Sequence, residues 1–235
     1  MNRLLCSTLL CTALAASAQE RIFESPARQV SLIELYTSEG CSSCPPAEEK
    51  LNTYADHKGL WSEFVPVAFH VDYWNYIGWD DRFSKPEFST RQRQYSKHWK
   101  ARTIYTPCFV INGTATRHPV PKAGKQKPGT LRAVLNGNRL AVTFNPEQNH
   151  TALTAWAAPL SGKVTTAVKA GENRGRTLEH CFVALDLDQI PMTEARGVWT
   201  AEIKLNTALP ASALAIWISD GRNLRPIQAA GGWLE

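Results

Sequence analysis

The sequence lacks most of the features that mark common functional classes. It has no internal repeat, no low-complexity tract and no glycine-rich phosphate-binding motif, which argues against repeat arrays and against nucleotide-binding enzymes. After residue 18, no apolar run is long enough to span a bilayer. The net charge of +5 is small and scattered over 235 residues, so it gives no reason to expect a nucleic acid partner. We therefore expect no organic cofactor, no nucleic acid and no membrane span.

The longest apolar run lies at the amino terminus. An arginine precedes an apolar stretch from Leu4 to about Ala15, and an Ala-Ser-Ala cleavage pattern ends at Ala18. This combination predicts a secretory signal peptide over residues 1–18. Its removal would take one basic residue and two of the six cysteines. The other cysteines would then belong to an exported protein, periplasmic or secreted, in which disulfides persist.

The part of the chain over residues 28–138 alternates strand and helix signals, which indicates parallel strand pairing. An antiparallel hairpin is expected around Asn112-Gly113. The predicted strands are Val30–Thr37 and Phe64–Trp74, and the predicted helices are Pro45–His57, Pro86–Arg102 and Gly129–Gly137. The basic side chains of the second helix are interpreted as its solvent-exposed face: Arg91, Arg93, Lys97 and Lys100.

The pattern of predicted secondary structure changes near Arg139. Residues 139–235 contain seven short alternating segments separated by turn residues, without a convincing helix. Such segments predict a small antiparallel sandwich. The expected fold class is therefore α/β, with a mixed sheet and flanking helices over 28–138 and a smaller β-sandwich-like domain over 139–235.

Two cysteines lie between the first predicted strand and the first predicted helix, in the sequence Glu-Gly-Cys-Ser-Ser-Cys-Pro-Pro. A cysteine at a helix amino terminus has a stabilised thiolate, and a second one three residues on can attack a mixed disulfide. Cys41 is thus the expected exposed nucleophile and Cys44 the resolving thiol. Between a strand and a helix, this spacing is the thioredoxin-like redox signature. A static disulfide and half of a metal site are the alternatives, and the two serines leave the redox potential open.

Several further residues fit the same chemistry. The Thr106-Pro107 bond precedes the predicted hairpin, and we expect it to be cis and to pack against the cysteines, because X–Pro bonds adopt cis at low cost. Glu34 lies on the strand seven residues before the first cysteine and is a candidate to accept a proton from the resolving thiol. Trp74 and Trp79, with Thr106, are candidate substrate-binding residues; packing of the rings over the sheet edge is the alternative.

His70 offers another use of the two thiols. It shares a strand face with Asp72 near the carboxyl end of the second predicted strand. Cys41, Cys44 and His70 would suit copper(I) in an exported binding protein. The alternative is that His70 forms a hydrogen bond with Asp72 and positions the following loop, with no metal present.

Cys108 and Cys181 are candidates for a second disulfide. The bridge would close a loop of roughly 70 residues and contribute on the order of 4 kcal/mol in the chain-entropy model. Exchange between Cys108 and Cys41 is a second interpretation, and a buried free thiol is a third.

The segments ELYTSEGCSSCPPAE, FHVDYWNYIGWDDRFS, RQRQY and YTPCFVING together resemble one family, the secreted thioredoxin-like family catalogued as domain of unknown function 1223. The resemblance is strong from Ser31 to about Gly113 and loose beyond. It implies a thioredoxin-like fold and an exported location, but no established substrate. Cys108 departs from the family pattern, in which we expect a non-cysteine residue.

The residues and the resemblance together predict an exported thiol–disulfide oxidoreductase that acts on protein or small-molecule thiols and disulfides. Two alternatives stay open at this point. One is the copper-handling protein described above. The other is a redox-inert scaffold in which the β-rich part or the aromatic loop, residues 74–85, binds a protein partner. The sequence does not indicate an oligomeric state.

Overall fold

The computed structural model describes residues 20–234, so the predicted signal peptide over residues 1–18 lies outside the described residues. The described chain contains 15 β-strands and two α-helices. Neither α-helix of this part of the chain has the length and apolarity that a membrane crossing requires. Two short 3-10 helices are also present, at Thr53–Asp56 and Asn75–Ile77.

The strands form three larger sheets and one separate hairpin, and each α-helix follows a strand of the mixed sheet. The mixed sheet contains, in spatial order, β3 (Phe64–His70), β2 (Ser31–Thr37), β4 (Cys108–Ile111) and β5 (Thr114–Thr116). The central sheet contains β11 (Asp188–Pro191), β8 (Leu153–Leu160), β14 (Ala213–Asp220) and β15 (Pro226–Trp233). The outer sheet contains β1 (Arg21–Glu24), β6 (Gly129–Asn136), β7 (Arg139–Pro146), β13 (Val198–Lys204) and β12 (Thr193–Ala195). The hairpin is β9 (Val164–Ala167) with β10 (Thr177–His180); α1 (Pro45–Asn52) follows β2, and α2 (Pro86–His98) follows β3.

The central sheet is buried on both faces, because successive residues of its strands point to opposite sides. In β14, one set of side chains enters the core shared with the mixed sheet: Ala213, Ala215 and Trp217. The alternate set enters the core shared with the outer sheet: Leu214, Ile216 and Ile218. The molecule is therefore layered, with the central sheet between the other two.

A short segment, residues 182–185, joins the mixed sheet to the central sheet by hydrogen bonds. On one side, the backbone of Ala68 in β3 donates to this segment at 2.8 Å and accepts from it at 2.9 Å. On the other side, the amide of Ser161 donates to the segment at 2.9 Å, and the carbonyl of Pro159 accepts from it at 2.8 Å. The edge of β3 is therefore covered by a part of the chain that lies more than a hundred residues downstream.

The predicted α/β class, a thioredoxin-like domain with flanking helices plus a smaller β-sandwich, is wrong. The described chain is mostly β-sheet, its outer and central sheets and its hairpin are wholly antiparallel, and β2 with β3 is its one parallel strand pair. The predicted helix Gly129–Gly137 is strand β6, in which buried Leu131 and Ala133 alternate with less buried residues. Periodicity alone does not distinguish a helix from a strand in so short an apolar run.

The antiparallel segments of the carboxyl-terminal part do not form a separate small sandwich. The first strand of the described chain, β1, pairs with β6, and β6 pairs with β7 over its whole length. The outer sheet thus combines strands from both parts of the chain. The division into residues 28–138 and 139–235 stays a prediction; its boundary falls in the turn between β6 and β7.

A buried ion pair lies between the mixed sheet and the central sheet. The carboxylate of Glu34 in β2 accepts hydrogen bonds from Arg91 Nε at 2.7 Å and from the Tyr95 hydroxyl at 2.7 Å, both in α2. The Arg91 guanidinium also lies over the rings of Trp156 and Trp217, 4.6 and 5.1 Å from their centroids. Burial alone would lower the pKa of Arg91, but the charge and hydrogen bond of Glu34 together with the hydroxyls of Tyr95 and Tyr36 outweigh this effect and raise it.

The interpretation of Arg91 as part of the solvent-exposed face is therefore wrong. Its side chain is 2% exposed, whereas the other three basic residues of that group are exposed: Arg93, Lys97 and Lys100. The helical periodicity of a sequence predicts on which face of the helix a residue lies. It does not predict whether another part of the protein packs over that face.

We expect Arg91→Met to lower the free energy of unfolding by about 3–5 kcal/mol, because it leaves the Glu34 carboxylate buried without its partner. Urea unfolding of the disulfide-intact protein measures this change. The matched control is Arg93→Met on the exposed face of the same helix, for which we expect a change within about 0.5 kcal/mol. Replacing both charges, Glu34→Leu with Arg91→Met, should recover part of the loss. Equal effects of Arg91→Met and Arg93→Met would contradict this account.

Candidate functional site

Cys41 and Cys44 form a disulfide, with their Cα atoms 5.4 Å apart, in the turn between β2 and α1. The turn is held by two backbone hydrogen bonds, from Cys41 N–H to the Ser38 carbonyl at 3.1 Å and from Cys44 N–H to the Cys41 carbonyl at 3.2 Å. We refer to residues 38–44 as the CxxC turn. The pair is close enough for exchange between a dithiol and a disulfide without rearrangement of the backbone.

The position of Cys41 relative to α1 differs from the expected one. The helix begins at Pro45, as predicted, but Cys44, and not Cys41, is the residue before its first turn. The two prolines that open the helix have no N–H, and the next two amides donate to the Cys44 carbonyl at 2.9 and 3.1 Å. Free helix N–H groups are therefore not the main polar contact of Cys41. Its sulfur lies instead 3.3 Å from the Ser43 hydroxyl, which can donate to a thiolate.

Both cysteines are fully buried in the disulfide form, so the expectation of an exposed Cys41 is wrong for this form. A loop between β9 and β10, residues 171–174, lies over the CxxC turn; we call it the covering loop. Asn173 is itself buried and donates from Nδ2 to the carbonyls of Glu39 at 2.8 Å and Cys41 at 3.0 Å. Glu172 accepts a hydrogen bond at 3.0 Å from the backbone N–H of Ser42. The side chain and the backbone of Ser42 together lower the pKa of Glu172.

The covering loop also contacts the aromatic loop that follows β3. Gly171 has a φ of +72°, and a Cβ at this position would lie 3.2 Å from atoms of Ile77 and Trp79. A larger residue there would be both strained and in close contact. The two loops therefore meet above the CxxC turn.

The predicted substrate-binding residues lie beside the same turn. The Trp74 indole donates to the Thr106 hydroxyl at 2.7 Å, and a Cβ at Gly40 would lie 3.2 Å from the Cβ of Trp74. The Trp79 indole donates to Glu39 at 2.8 Å. The peptide bond between Thr106 and Pro107 is cis, as predicted, and both residues are half-buried. Trp74 and Trp79 thus contact the CxxC turn, and Thr106 is held beside them through Trp74.

Glu34 does not join this site, which corrects the predicted proton-transfer role. Its carboxylate is occupied by Arg91 and Tyr95 of α2. Thr37, three residues on and therefore on the other face of β2, donates instead to Glu48 of α1, the helix that begins after the disulfide. The sheet itself separates Glu34 from the α1 side.

Cys108 and Cys181 are free and buried, so the predicted second disulfide is wrong. Cys108 lies in β4, and β2 and β3 separate it from residue 183, which pairs with Ala68 of β3. Three strand spacings of about 4.8 Å amount to about 14 Å. A disulfide spans Cα atoms that are no more than about 7 Å apart. Burial raises the pKa of both thiols, which makes them poor nucleophiles.

His70 pairs with Asp81 rather than with Asp72, its predicted partner. Its Nδ1 lies 2.7 Å from Asp81 Oδ2, and both side chains are fully buried. Asp72 is bonded instead to the hydroxyl of Ser89 in α2. Burial alone would lower the pKa of His70, but the charge and hydrogen bond of Asp81, together with the charge of Glu48, outweigh it and raise the pKa. The same pairing lowers the pKa of Asp81 against the effect of burial.

A second buried histidine, His180 at the end of β10, lies beside His70, with ring centroids 5.1 Å apart. Its Nδ1 is hydrogen-bonded to Glu48, and its Nε2 lies 3.3 Å from Glu39 Oε1. Burial alone would lower the pKa of His180, but the neighbouring carboxylates of Glu39 and Glu48 outweigh it and raise the pKa to about 9. The nearby imidazole of His180 lowers the pKa of Glu39, although burial acts in the opposite direction.

Sequence reasoning did not find this buried network, which consists of Glu39, Glu48, His70, Asp81 and His180. Its members come from the CxxC turn, α1, β3, the aromatic loop and β10, and no spacing relates them. The hydroxyl of Thr37, bonded to Glu48, gives no signal in the sequence either.

The structure does not bring together Cys41, Cys44 and His70 as the predicted copper ligands. The two sulfurs are bonded to each other. Over residues 20–234, one group of three or more His, Cys, Asp and Glu residues has ligand atoms that all lie within 4.8 Å of one another, and it consists of Glu48, His70 and His180. His70 therefore belongs to a carboxylate–imidazole group.

Two solved structures share the fold of the described chain. One is a crystal structure of a protein from Agrobacterium tumefaciens, determined by a structural genomics consortium, with a TM-score of 0.63 and 21% identity over 86% of this chain and 94% of that chain. The other is HBP35 of Porphyromonas gingivalis, with a TM-score of 0.57 and 13% identity over 87% of this chain and 75% of that chain. At these identities the similarity shows the fold alone.

Comparison with curated proteins finds no match. A family model described as protein of unknown function (DUF1223) matches residues 32–219, which include the CxxC turn, both helices and the central sheet except β15 and the last residue of β14. This range is well over half of the chain. The chain belongs to the DUF1223 family.

Proposed function

We propose that the protein is an exported thiol–disulfide oxidoreductase whose reactive pair is Cys41 and Cys44. The observation that carries the proposal is the closed C-x-x-C disulfide at the junction of β2 and α1. A dithiol that closes within a four-residue turn has its resolving thiol next to the attacking one in every reaction cycle. Export rests on the predicted signal peptide over residues 1–18.

The proposed reaction moves two electrons from the dithiol to a partner disulfide. The Cys41 thiolate attacks one sulfur of the partner, the partner's S–S bond breaks, and the other partner sulfur leaves as a thiolate. Cys44 then attacks the Cys41 sulfur, which closes the protein disulfide and releases the second partner thiol. The two departing thiolates take up the proton lost by Cys44 and, from solvent, the proton that Cys41 lost on ionising, so the products are one protein disulfide and two partner thiols. The reverse sequence oxidises partner thiols.

Ser43 supports the choice of Cys41 as the attacking sulfur. Its hydroxyl lies 3.3 Å from the Cys41 sulfur, and a donor at this place stabilises a thiolate more than a neutral thiol. Ser43 is exposed, so it is also accessible to a partner. Glu34 has no part in this reaction, because its carboxylate is engaged by α2 on the far side of the sheet.

The covering loop controls access to the pair in the proposal. Asn173 bonds to backbone carbonyls on both sides of Gly40, and a partner sulfur reaches Cys41 only after this loop moves. Trp74, Thr106 and Trp79 would then border the opened site and receive the chain that carries the partner sulfur. Tyr76 of the same aromatic loop is 82% exposed, which extends this surface outward. Protein and small-molecule thiols and disulfides are the proposed partners.

We expect Cys44→Ser to accumulate a mixed disulfide at Cys41 when the reduced protein is incubated with oxidised glutathione, because the resolving thiol is absent. Intact mass and peptide mapping measure the adduct and its position. Cys41→Ser should accumulate no adduct at Cys44, and the matched control Cys108→Ser should release the adduct as the wild type does. A natively folded Cys44→Ser protein without an adduct would favour the redox-inert scaffold and contradict the proposal.

We expect Asn173→Ala to increase the rate at which dithiothreitol reduces the disulfide by about tenfold or more. The variant loses two hydrogen bonds of about 1 kcal/mol each, and about 1.4 kcal/mol corresponds to a factor of ten. Alkylation of the released thiols followed by mass analysis gives the rate. The matched control is Arg174→Gln in the same loop, whose exposed side chain makes no bond to the CxxC turn and should leave the rate unchanged. Equal rates for both variants would show that the covering loop does not limit access.

A further inference from the structure

We infer that Glu48, His70 and His180 form a buried site for a divalent transition-metal ion of the zinc type, with Glu39 as the fourth ligand. This inference goes beyond the proposed redox function and does not depend on it, because none of the four residues is a cysteine. The inference assigns a role to the buried network, which takes no part in the proposed disulfide chemistry.

The geometry of the group is the first observation. One ligand atom from each of Glu48, His70 and His180 lies within 4.8 Å of the others, and all three residues are buried. Zinc binds imidazole nitrogen at about 2.0–2.1 Å and carboxylate oxygen at about 2.0–2.2 Å. Two ligands of one ion are thus up to about 4 Å apart, so small rotations of these side chains suffice to surround an ion.

The second observation is the way in which His70 is held. Its Nδ1 is engaged by Asp81 at 2.7 Å, and its Nε2 is buried and has no hydrogen-bond partner. A metal-bound histidine has this arrangement, because a carboxylate on one nitrogen orients the ring and directs the lone pair of the other nitrogen to the ion. Asp81 is therefore a positioning residue for His70.

Two more polar atoms at the same place have no hydrogen-bond partner: Glu39 Oε1 and His180 Nε2. They lie 3.3 Å apart, next to the group of three. Buried polar side-chain atoms nearly always have a partner in folded proteins. A single ion among these side chains would bind the unsatisfied atoms of both Glu39 and His70. No single hydrogen bond within the network gives both atoms a partner.

The chemistry of the donors selects the class of ion. Two imidazoles and carboxylates suit zinc and neighbouring first-row ions, whereas calcium and magnesium prefer oxygen ligands alone. The carboxylates of Glu39, Glu48 and Asp81 supply the negative charge that a buried dication requires. Four protein ligands with no exposed position describe a closed, structural site rather than a site that binds water and substrate.

The position of the site gives it a structural role. His70 ends β3, Glu48 lies in α1, His180 ends β10, and Glu39 belongs to the CxxC turn. An ion held by all four ties the hairpin of β9 and β10 to the turn and to the helix after it. Loss of the ion should therefore loosen the CxxC turn without unfolding the layered cores.

Titration of the disulfide-intact wild type with zinc and cobalt(II) chloride, after treatment with a chelator, tests the site. We expect one equivalent of zinc by calorimetry and elemental analysis, and an intense visible absorption of the cobalt form that indicates a tetrahedral site. His70→Gln should lose stoichiometric binding, and Asp81→Asn, which keeps the ring, should bind about 10–100-fold more weakly. The matched control is His118→Gln, an exposed histidine away from the network, which should bind as the wild type does.

Near-ultraviolet circular dichroism and the intact disulfide establish that each variant is folded, and Asp81→Asn keeps the test valid if His70→Gln does not fold. Absence of stoichiometric binding by the folded wild type would overturn the inference. Equal binding by wild type, His70→Gln and Asp81→Asn would overturn it as well, because the ion would lie elsewhere. Binding that requires reduction and is lost in Cys41→Ser would identify a thiolate site instead and would also overturn it.

Discussion

The hydrogen bonds that segment 182–185 makes to β3 and to the end of β8 are the constraint on which the site depends. They cover the free edge of β3 and join the mixed sheet to the central sheet. The same segment begins two residues after His180, so it also holds the hairpin of β9 and β10 against α1. The covering loop belongs to that hairpin. One set of backbone bonds thus places both His180 and Asn173 against a CxxC turn that lies about 130 residues earlier in the chain.

Two buried polar networks lie on different sides of the mixed sheet, and the sheet keeps their chemistry apart. The pair of Glu34 and Arg91 joins β2 to α2 and is completed by tyrosine hydroxyls and tryptophan rings. The network around His180 joins α1, the CxxC turn and β10. The first pairs its two charges with each other and ties the layers together, with Arg91 Nη1 left without a hydrogen-bond partner. The second contains unpartnered ring nitrogens and carboxylate oxygen, and it is the one that adjoins the disulfide.

Features that depend on a few adjacent residues were predictable from the sequence. The Cys41–Cys44 pair needs a four-residue turn, and the hairpin of β4 and β5 needs the positive φ angles of Asn112 and Gly113, 47° and 82°. Features set by distant packing were not predictable. The predicted fold class was wrong in part because the segment predicted as a helix is strand β6, which pairs with β1 and β7. Arg91 was misplaced because the tryptophans that cover it come from the central sheet.

Glu39 connects access to the disulfide with the buried network. Its carbonyl and that of Cys41 accept the bonds of Asn173, and its carboxylate contacts Trp79 and His180. Movement of the covering loop therefore frees the backbone of the residue whose side chain is held by the network. A ligand that fixes the carboxylate restricts that movement, because backbone and side chain belong to one short turn. Glu39 is thus the residue through which we expect a change at Cys41 and a change in the network to affect each other.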